Sequence, residues 1–269
     1  MSTKRWKYKI IWWSCFSIPG RCEQTVGNSP GEIEAITAAA RSFLKSEMEN
    51  HDLKNPSFEF QLTSAVASYF QASKLHEEQG RPQLAAGLHL EVAEAYWRMN
   101  RPIKALPYYQ KAAMLSENDP MSLISTKLKI SSCFIAISDY HNALLVLSDV
   151  ANYVSENDPK HFCDDIQENV EIMRVLLLLI IDPSNHNTSP HLLNVIEKYR
   201  EDEQSFEHDH KISEFISVEV SILLQSLVIA VDNMEIDSLL YIEDELVPLL
   251  TDQQLSLLRV VVKQTIKKV

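Results

Sequence analysis

Glycine is nearly absent from this chain. Its 269 residues include five, Gly20, Gly27, Gly31, Gly80 and Gly87, and none follows residue 87. Loops that cradle phosphates need backbone amides able to approach a ligand with no Cβ in the way. Neither a Walker A loop nor a GxGxxG fingerprint can be found here, which argues against the familiar nucleotide-dependent classes. Cysteine is sparse too. Cys15, Cys22, Cys133 and Cys163 form no CxxC and no regular framework, which fits a reduced, cytosolic or nuclear setting. Positive charge is also short: 25 Lys and Arg stand against 37 Asp and Glu, for a net charge of −12. Nucleic acid as the main partner would draw on clustered cations, so this balance speaks against it. Long apolar runs are missing as well. Residues 175–181 (VLLLLII) are bracketed by Arg174 and Asp182, whereas a membrane-spanning helix takes about 20 apolar residues. The run reads as a helix buried on most sides.

What the chain does have is a repeat. SENDP occurs at 116–120 and again at 155–159, and each copy closes a similar pattern of small and large residues. Before the first copy come Val92, Ala93, Tyr96, Asn100, Ala105, Tyr109 and Ala112; before the second come Ile130, Ser131, Phe134, Ser138, Ala143, Leu147 and Val150. This is the signature of tandem helix–turn–helix units of the tetratricopeptide (TPR) type. Small residues let the two helices of a unit approach, and large ones fill the gap between units. One unit cannot bury its apolar face alone, so repeats stack into a surface that binds other macromolecules.

Punctuation divides the remainder into helices. Ser29-Pro30-Gly31 opens a first over about 32–49, and Asn55-Pro56 a second that runs towards Gly80. Gly80-Arg81-Pro82 and Asn100-Arg101-Pro102 each end one helix and start the next, giving 82–99 and 102–117. Asp119-Pro120 starts the fifth, Tyr140 lies near the start of the sixth, and the seventh follows Pro159. Residues 183–190 read as a polar loop, and helices at about 191–203, 211–231, 235–247 and 251–267 finish the chain, with Thr251 as N-cap. Pro107 and Pro248 are expected to bend or end helix locally. With no strand-like alternation, the class is all-α: a TPR-like solenoid of about eleven antiparallel helices over 29–269. Residues 1–28 stand apart, with Trp6, Trp12 and Trp13 beside Lys4, Arg5, Lys7 and Lys9. Their start superficially resembles a signal peptide, but no small-x-small cleavage site follows cleanly. The expectation is a poorly ordered segment.

Chemistry-bearing constellations are thin. His208-x-His210 lies among acids and reads as polar surface, and His76-Glu77-Glu78 lacks the second histidine of HExxH. No nucleophile elbow gathers Ser, His and Asp. Tyr108 and Tyr109 read as repeat packing, and Cys133 as a small buried hydrophobe. The expected catalytic, cofactor and metal sets are therefore empty. Arg81, Asn100, Arg101, Lys104, Lys127 and Lys129 are the candidates for a ladder gripping a peptide carboxylate, as in TPR-type co-chaperones, but their spacing is irregular. A small helical enzyme or enzyme regulator is a further alternative.

Four stretches resemble the forty-kilodalton huntingtin-associated protein family: RCEQ…SPGEIEAITAAARSFL (21–44), RVLLLLIIDP (174–183), LLQSLVIA (223–230) and PLLTDQQLSLLRVVVKQTI (248–266). The resemblance covers about 21–268, while residues 1–20 depart from the family's N-terminal helices. A loop that is long and proline-rich in some relatives is short here. The resemblance implies a non-enzymatic, TPR-like scaffold that binds huntingtin in one copy per complex and links it to early endosomes through Rab5. It further implies a cytoplasmic location, with early-endosomal and nuclear pools. Acid concentrates where the resemblance is most specific. Glu219, Asp232, Glu235, Asp237, Glu243, Asp244 and Glu245 lie at or near the ends of the C-terminal helices. They are the expected partner-facing residues, against the plainer reading that they solvate helix faces.

Overall fold

The computed structural model describes residues 29–55, 59–157, 163–181, 190–200 and 215–268. They form eleven α-helices: α1 (Ser29–Asp52), α2 (Phe60–Glu78), α3 (Pro82–Arg98), α4 (Pro102–Leu115), α5 (Pro120–Ala136), α6 (Tyr140–Asn157), α7 (Asp164–Ile181), α8 (Pro190–Glu197), α9 (Val218–Asp232), α10 (Ile236–Leu246) and α11 (Asp252–Lys268). No strand occurs among the described residues. The all-helical class and the number of helices agree with the sequence reading. The expected disorder of 1–28 lies outside the described residues, as do His208 and His210.

Local chemistry explains most boundaries. Proline occupies the first turn of α3 and α4, where its missing N–H would be unpaired in any case. Five helix ends close alike on a residue of positive φ: Lys54, Gly80, Asn100, Ser138 and Met234. In each, the following amide reaches back five residues, as in Arg81 N–H to His76 C=O (2.9 Å), Arg101 to Tyr96 (2.9 Å) and Asp139 to Phe134 (2.9 Å). This is the Schellman closure, and only one of the five uses glycine. Asn100 and Ser138 hold matching places in the two repeats.

Three boundaries differ from expectation. The second helix begins at Phe60, after Glu59 in a left-handed conformation. The helix expected from 211 begins at Val218, because the Ser217 hydroxyl accepts the Val220 N–H and caps it there. The helix expected to reach 203 stops at Glu197 and continues as a turn, with Tyr199 N–H bonded to the Ile196 carbonyl. Pro107 does not end α4. The ring faces outward beside exposed Ile103, so the carbonyl left without its donor lies on the solvent side. Pro248 follows the end of α10, as expected.

The chain divides into two compact units, Met1–Cys133 and Phe134–Val269, with the division falling in α5. In the first unit α1 to α4 pack in chain order. The repeat positions Val92, Ala93, Ala105, Tyr109 and Ala112 are all buried. Burial pushes the Tyr109 hydroxyl up to about 12 and the Cys133 thiol up to about 11. Helices α2 and α4 lie side by side and run parallel. Glu59 ahead of α2 meets Arg101 (2.6 Å) and Lys104 (3.6 Å), while Glu77 near its end meets Lys111 (3.1 Å). Arg41 on α1 grips Glu91 on α3 through one guanidinium edge, Nε and Nη2 donating to the two carboxylate oxygens (2.9 and 2.5 Å), and Lys129 on α5 pairs with Glu94 on α3. Side chains two helices apart are thus neighbours, as stacked pairs require.

In the second unit the apolar run of α7 forms the core, with Val175, Leu176, Leu177 and Leu178 wholly buried. Against α7 pack α6, α8, α9 and α11. Gln254 fastens the start of α11: its carbonyl accepts the Thr251 N–H (2.8 Å), and its amide donates to Asn169 on α7 (2.9 Å). Thr251 therefore sits where the sequence placed an N-cap. No helix among the described residues is long and apolar enough to cross a membrane.

Candidate functional site

Between Lys211 and Arg259 the sequence holds no Lys, Arg or His. The acids expected to face a partner fall in this interval, on α9 and α10. These two helices pack together across the turn at 233–235. The short turn makes them an antiparallel pair. Glu219, in the first turn of α9, therefore lies towards the end of α10 that carries Glu243, Asp244 and Glu245. Asp232, Glu235 and Asp237 gather at the turn.

The seven acids are not equivalent. Asp232 is held by Arg200, which donates from Nε to Oδ2 (2.7 Å) and from Nη2 to Oδ1 (3.1 Å). Glu235 occupies the N-cap position of α10 and accepts from the Ser238 hydroxyl at 3.1 Å. Glu219 and Asp237 lie in first turns, where the helix dipole favours a negative charge. Glu243, Asp244 and Glu245 sit in the last turn of α10, where the dipole disfavours it, and no basic residue shares that turn. Asp244 and Glu245 are exposed. Beneath this surface Leu239, Ile242 and Leu246 are buried, as are Leu224, Leu227 and Val228 of α9.

Acid counting missed the apolar partners of these charges. Val218 (60% exposed), Ile222 and Ile229 form one outward stripe on α9, and Leu240, Tyr241 (67% exposed) and Val247 lie exposed on or just after α10. The signal was present in the sequence: α9 (VEVSILLQSLVIAVD) is apolar nearly all round, more than a helix with one buried face requires.

Elsewhere the possible binding groups are mostly satisfied within the fold. Arg101 and Lys104 share Glu59, Lys129 pairs with Glu94, and Asn100 closes α3. The cations weighed as a carboxylate ladder thus do not converge on one groove, and Arg81 alone lines a cleft. His89 is buried and shares a hydrogen bond with Ser73 (2.9 Å). Tyr108 stacks on Tyr96 with ring centroids 5.6 Å apart, which is packing of α4 on α3. Among the described residues no three His, Cys, Asp or Glu side chains gather as metal ligands.

Comparison with known proteins agrees with the resemblance drawn from the sequence. Residues 38–168 match the family model of the soluble NSF attachment protein, SNAP, a helical, TPR-like family. The chain is also similar to the 40-kDa huntingtin-associated protein of Rattus norvegicus and to that of Mus musculus. Each is 27% identical over 308 aligned residues, which take in 94% of this chain and 80% of the relative.

Proposed function

We propose that this chain is a non-enzymatic helical adaptor that docks on a large, basic-faced helical protein through α9 and α10, and that this protein is huntingtin. The observation that carries the reading is the cation-free interval between Lys211 and Arg259, where acids and exposed apolar side chains share one helix pair. Charge of one sign steers and orients a partner, while buried apolar anchors supply most of the affinity. The name shared by the two relatives supplies the identity of the partner. One copy per complex, a link to early endosomes through Rab5, and a location in cytoplasm and nucleus belong to the same reading.

The test is co-purification. Tagged chain co-expressed with huntingtin should recover it in a stable complex, and lysine at Asp244 and Glu245 together should slow association and flatten its salt dependence. Failure to recover huntingtin from co-expressing cells would remove the proposed partner. A complex indifferent to the double reversal would remove the proposed face. The alternative of a peptide-gripping TPR groove has less support, since Arg101, Lys104 and Lys129 already hold acids of this chain.

A further inference from the structure

At the edge of the first unit, α1 and the end of α2 enclose a cleft of about 350 Å³. Pro30, Ile33 and Ala38 give it apolar walls, and its polar lining is Glu34, Arg41 and Gln79 together with Thr37, His76 and Arg81. That volume is at the small end for a ligand site and suits a group of one or two residues.

Two observations set these polar groups apart. Helical hydroxyls in this protein usually bond the carbonyl four residues back, as those of Thr63, Ser64, Ser68, Ser148, Ser226, Ser256 and Thr265 do. Thr37 does not: the residue is only 9% exposed and its hydroxyl has no partner. A buried hydroxyl left unsatisfied costs stability. The Nδ1 atom of His76, also in the lining, has none either. Burial, and next the nearby Arg81 guanidinium, hold His76 below the usual histidine range, so the imidazole is neutral at pH 7. Arg41, the other cation of the lining, is committed to Glu91. Arg81 has no carboxylate partner among the described residues, and the left-handed Gly80 with the Arg81–His76 backbone bond fixes where it leaves the helix. Glu34 at the rim is the one acid of the lining.

We infer that this cleft binds a carboxylate carried on an apolar group, with Arg81 supplying the charge, Thr37 and His76 the remaining hydrogen bonds, and Ile33 and Ala38 the apolar contact. The ligand's carboxylate comes either from the C-terminus of a protein ending in an apolar residue or from a free small acid.

Calorimetric titration of the full chain tests this, with N-acetylleucine, its amide, and a hexapeptide ending in leucine as free acid or amide. The acids should bind about tenfold or more tighter than their amides, as a charge-assisted hydrogen bond requires. Arg81→Gln should erase that preference, Thr37→Val should weaken the acids about threefold or more, and Glu34→Gln should tighten them. Circular dichroism should remain that of the parent, because Arg81 and Glu34 are exposed and Thr→Val keeps the shape. A hexapeptide acid bound at least as well as N-acetylleucine identifies a protein terminus as the source, and preference for the small acid identifies a free carboxylate. Equal binding of acid and amide, no binding at millimolar concentration, or indifference to Arg81→Gln overturns the inference.

Discussion

A residue held at positive φ strains most side chains other than glycine, by about 1 kcal/mol, and this protein bears that strain at Lys54, Glu59, Asn100, Ser138 and Met234. Ser138→Gly and Met234→Gly should each raise the unfolding free energy by about 0.5–1 kcal/mol. Gly80→Ala should lower it by about 1 kcal/mol, through strain alone, since a Cβ there meets nothing within 4 Å. Gly87 is the contrasting case. It lies inside α3 without positive φ and with open space around it, so Gly87→Ala should stabilise by about 0.5–1 kcal/mol. Urea titration of the four variants separates these signs, and a stabilised Gly80→Ala would contradict the account of the helix ends. Depressed ionisable groups of the first unit, His89 and Glu91 the most buried among them, make its stability fall on acidification. His89 is held below 6.5 by burial first and Lys111 next, against Glu77. The unfolded chain therefore takes up the proton more readily, and the contribution present above about pH 6.5 is lost as pH falls through the folded value. For Glu91, burial raises the carboxyl, but hydrogen bonds from Arg41 and Tyr69 together outweigh it and hold the group below 4.5. Its contribution is present above that value and lost below it. Denaturation at pH 7.5, 6, 5 and 4 should show falling stability, with His89→Gln flattening the upper part of the fall and Arg41→Gln the lower.

At the scale of the helix, α10 carries a conflict between local stability and its surface. Three acids in its last turn oppose the dipole, and no cation offsets them there. Asp244→Lys and Glu245→Lys should therefore stabilise the isolated protein, by about 0.3–1 kcal/mol each, while weakening association with the basic partner proposed above. Thermal unfolding and association kinetics on the same double variant read the two effects. Loss of both stability and binding would mean that the acids serve the fold. Helix starts were legible where a cap or proline marks them, as at Pro82, Pro102 and Pro120. The start of α9 was placed too early, because the apolar pattern extends back through Ile216 and Ile212. The Ser217 hydroxyl bond to Val220 decides the boundary and has no periodic signal.

Taken as a whole, the molecule leaves large apolar side chains in water in both units: Phe60, Phe70, Ile103 and Met114 in the first, Val218, Ile222 and Tyr241 in the second. The stripe of Val218, Ile222 and Ile229 on α9 is the kind of exposed apolar surface that marks proteins working bound to others. Expressed alone, the chain should be recovered mainly in aggregates or degraded, and co-expression with huntingtin should raise its soluble yield severalfold. A monodisperse, long-lived monomer at high concentration would count against a life spent in a complex.

The sequence by itself determined the helical class, the number of helices among the described residues and the buried positions of the first repeat. Periodicity, caps and small-residue spacing act over a few neighbouring residues, and these are written along the chain. It also located the acids, which needed only counting. Only the tertiary structure decided which charges are already used. Arg200 takes Asp232 from 32 residues away, and Arg41 takes Glu91 from 50. Such pairings follow from which helix faces meet, and a salt bridge between distant residues leaves no local pattern to read. The cleft of Thr37, His76 and Arg81 was hidden for the same reason: its groups come from α1, α2 and the turn after α2, and become neighbours only when those elements pack.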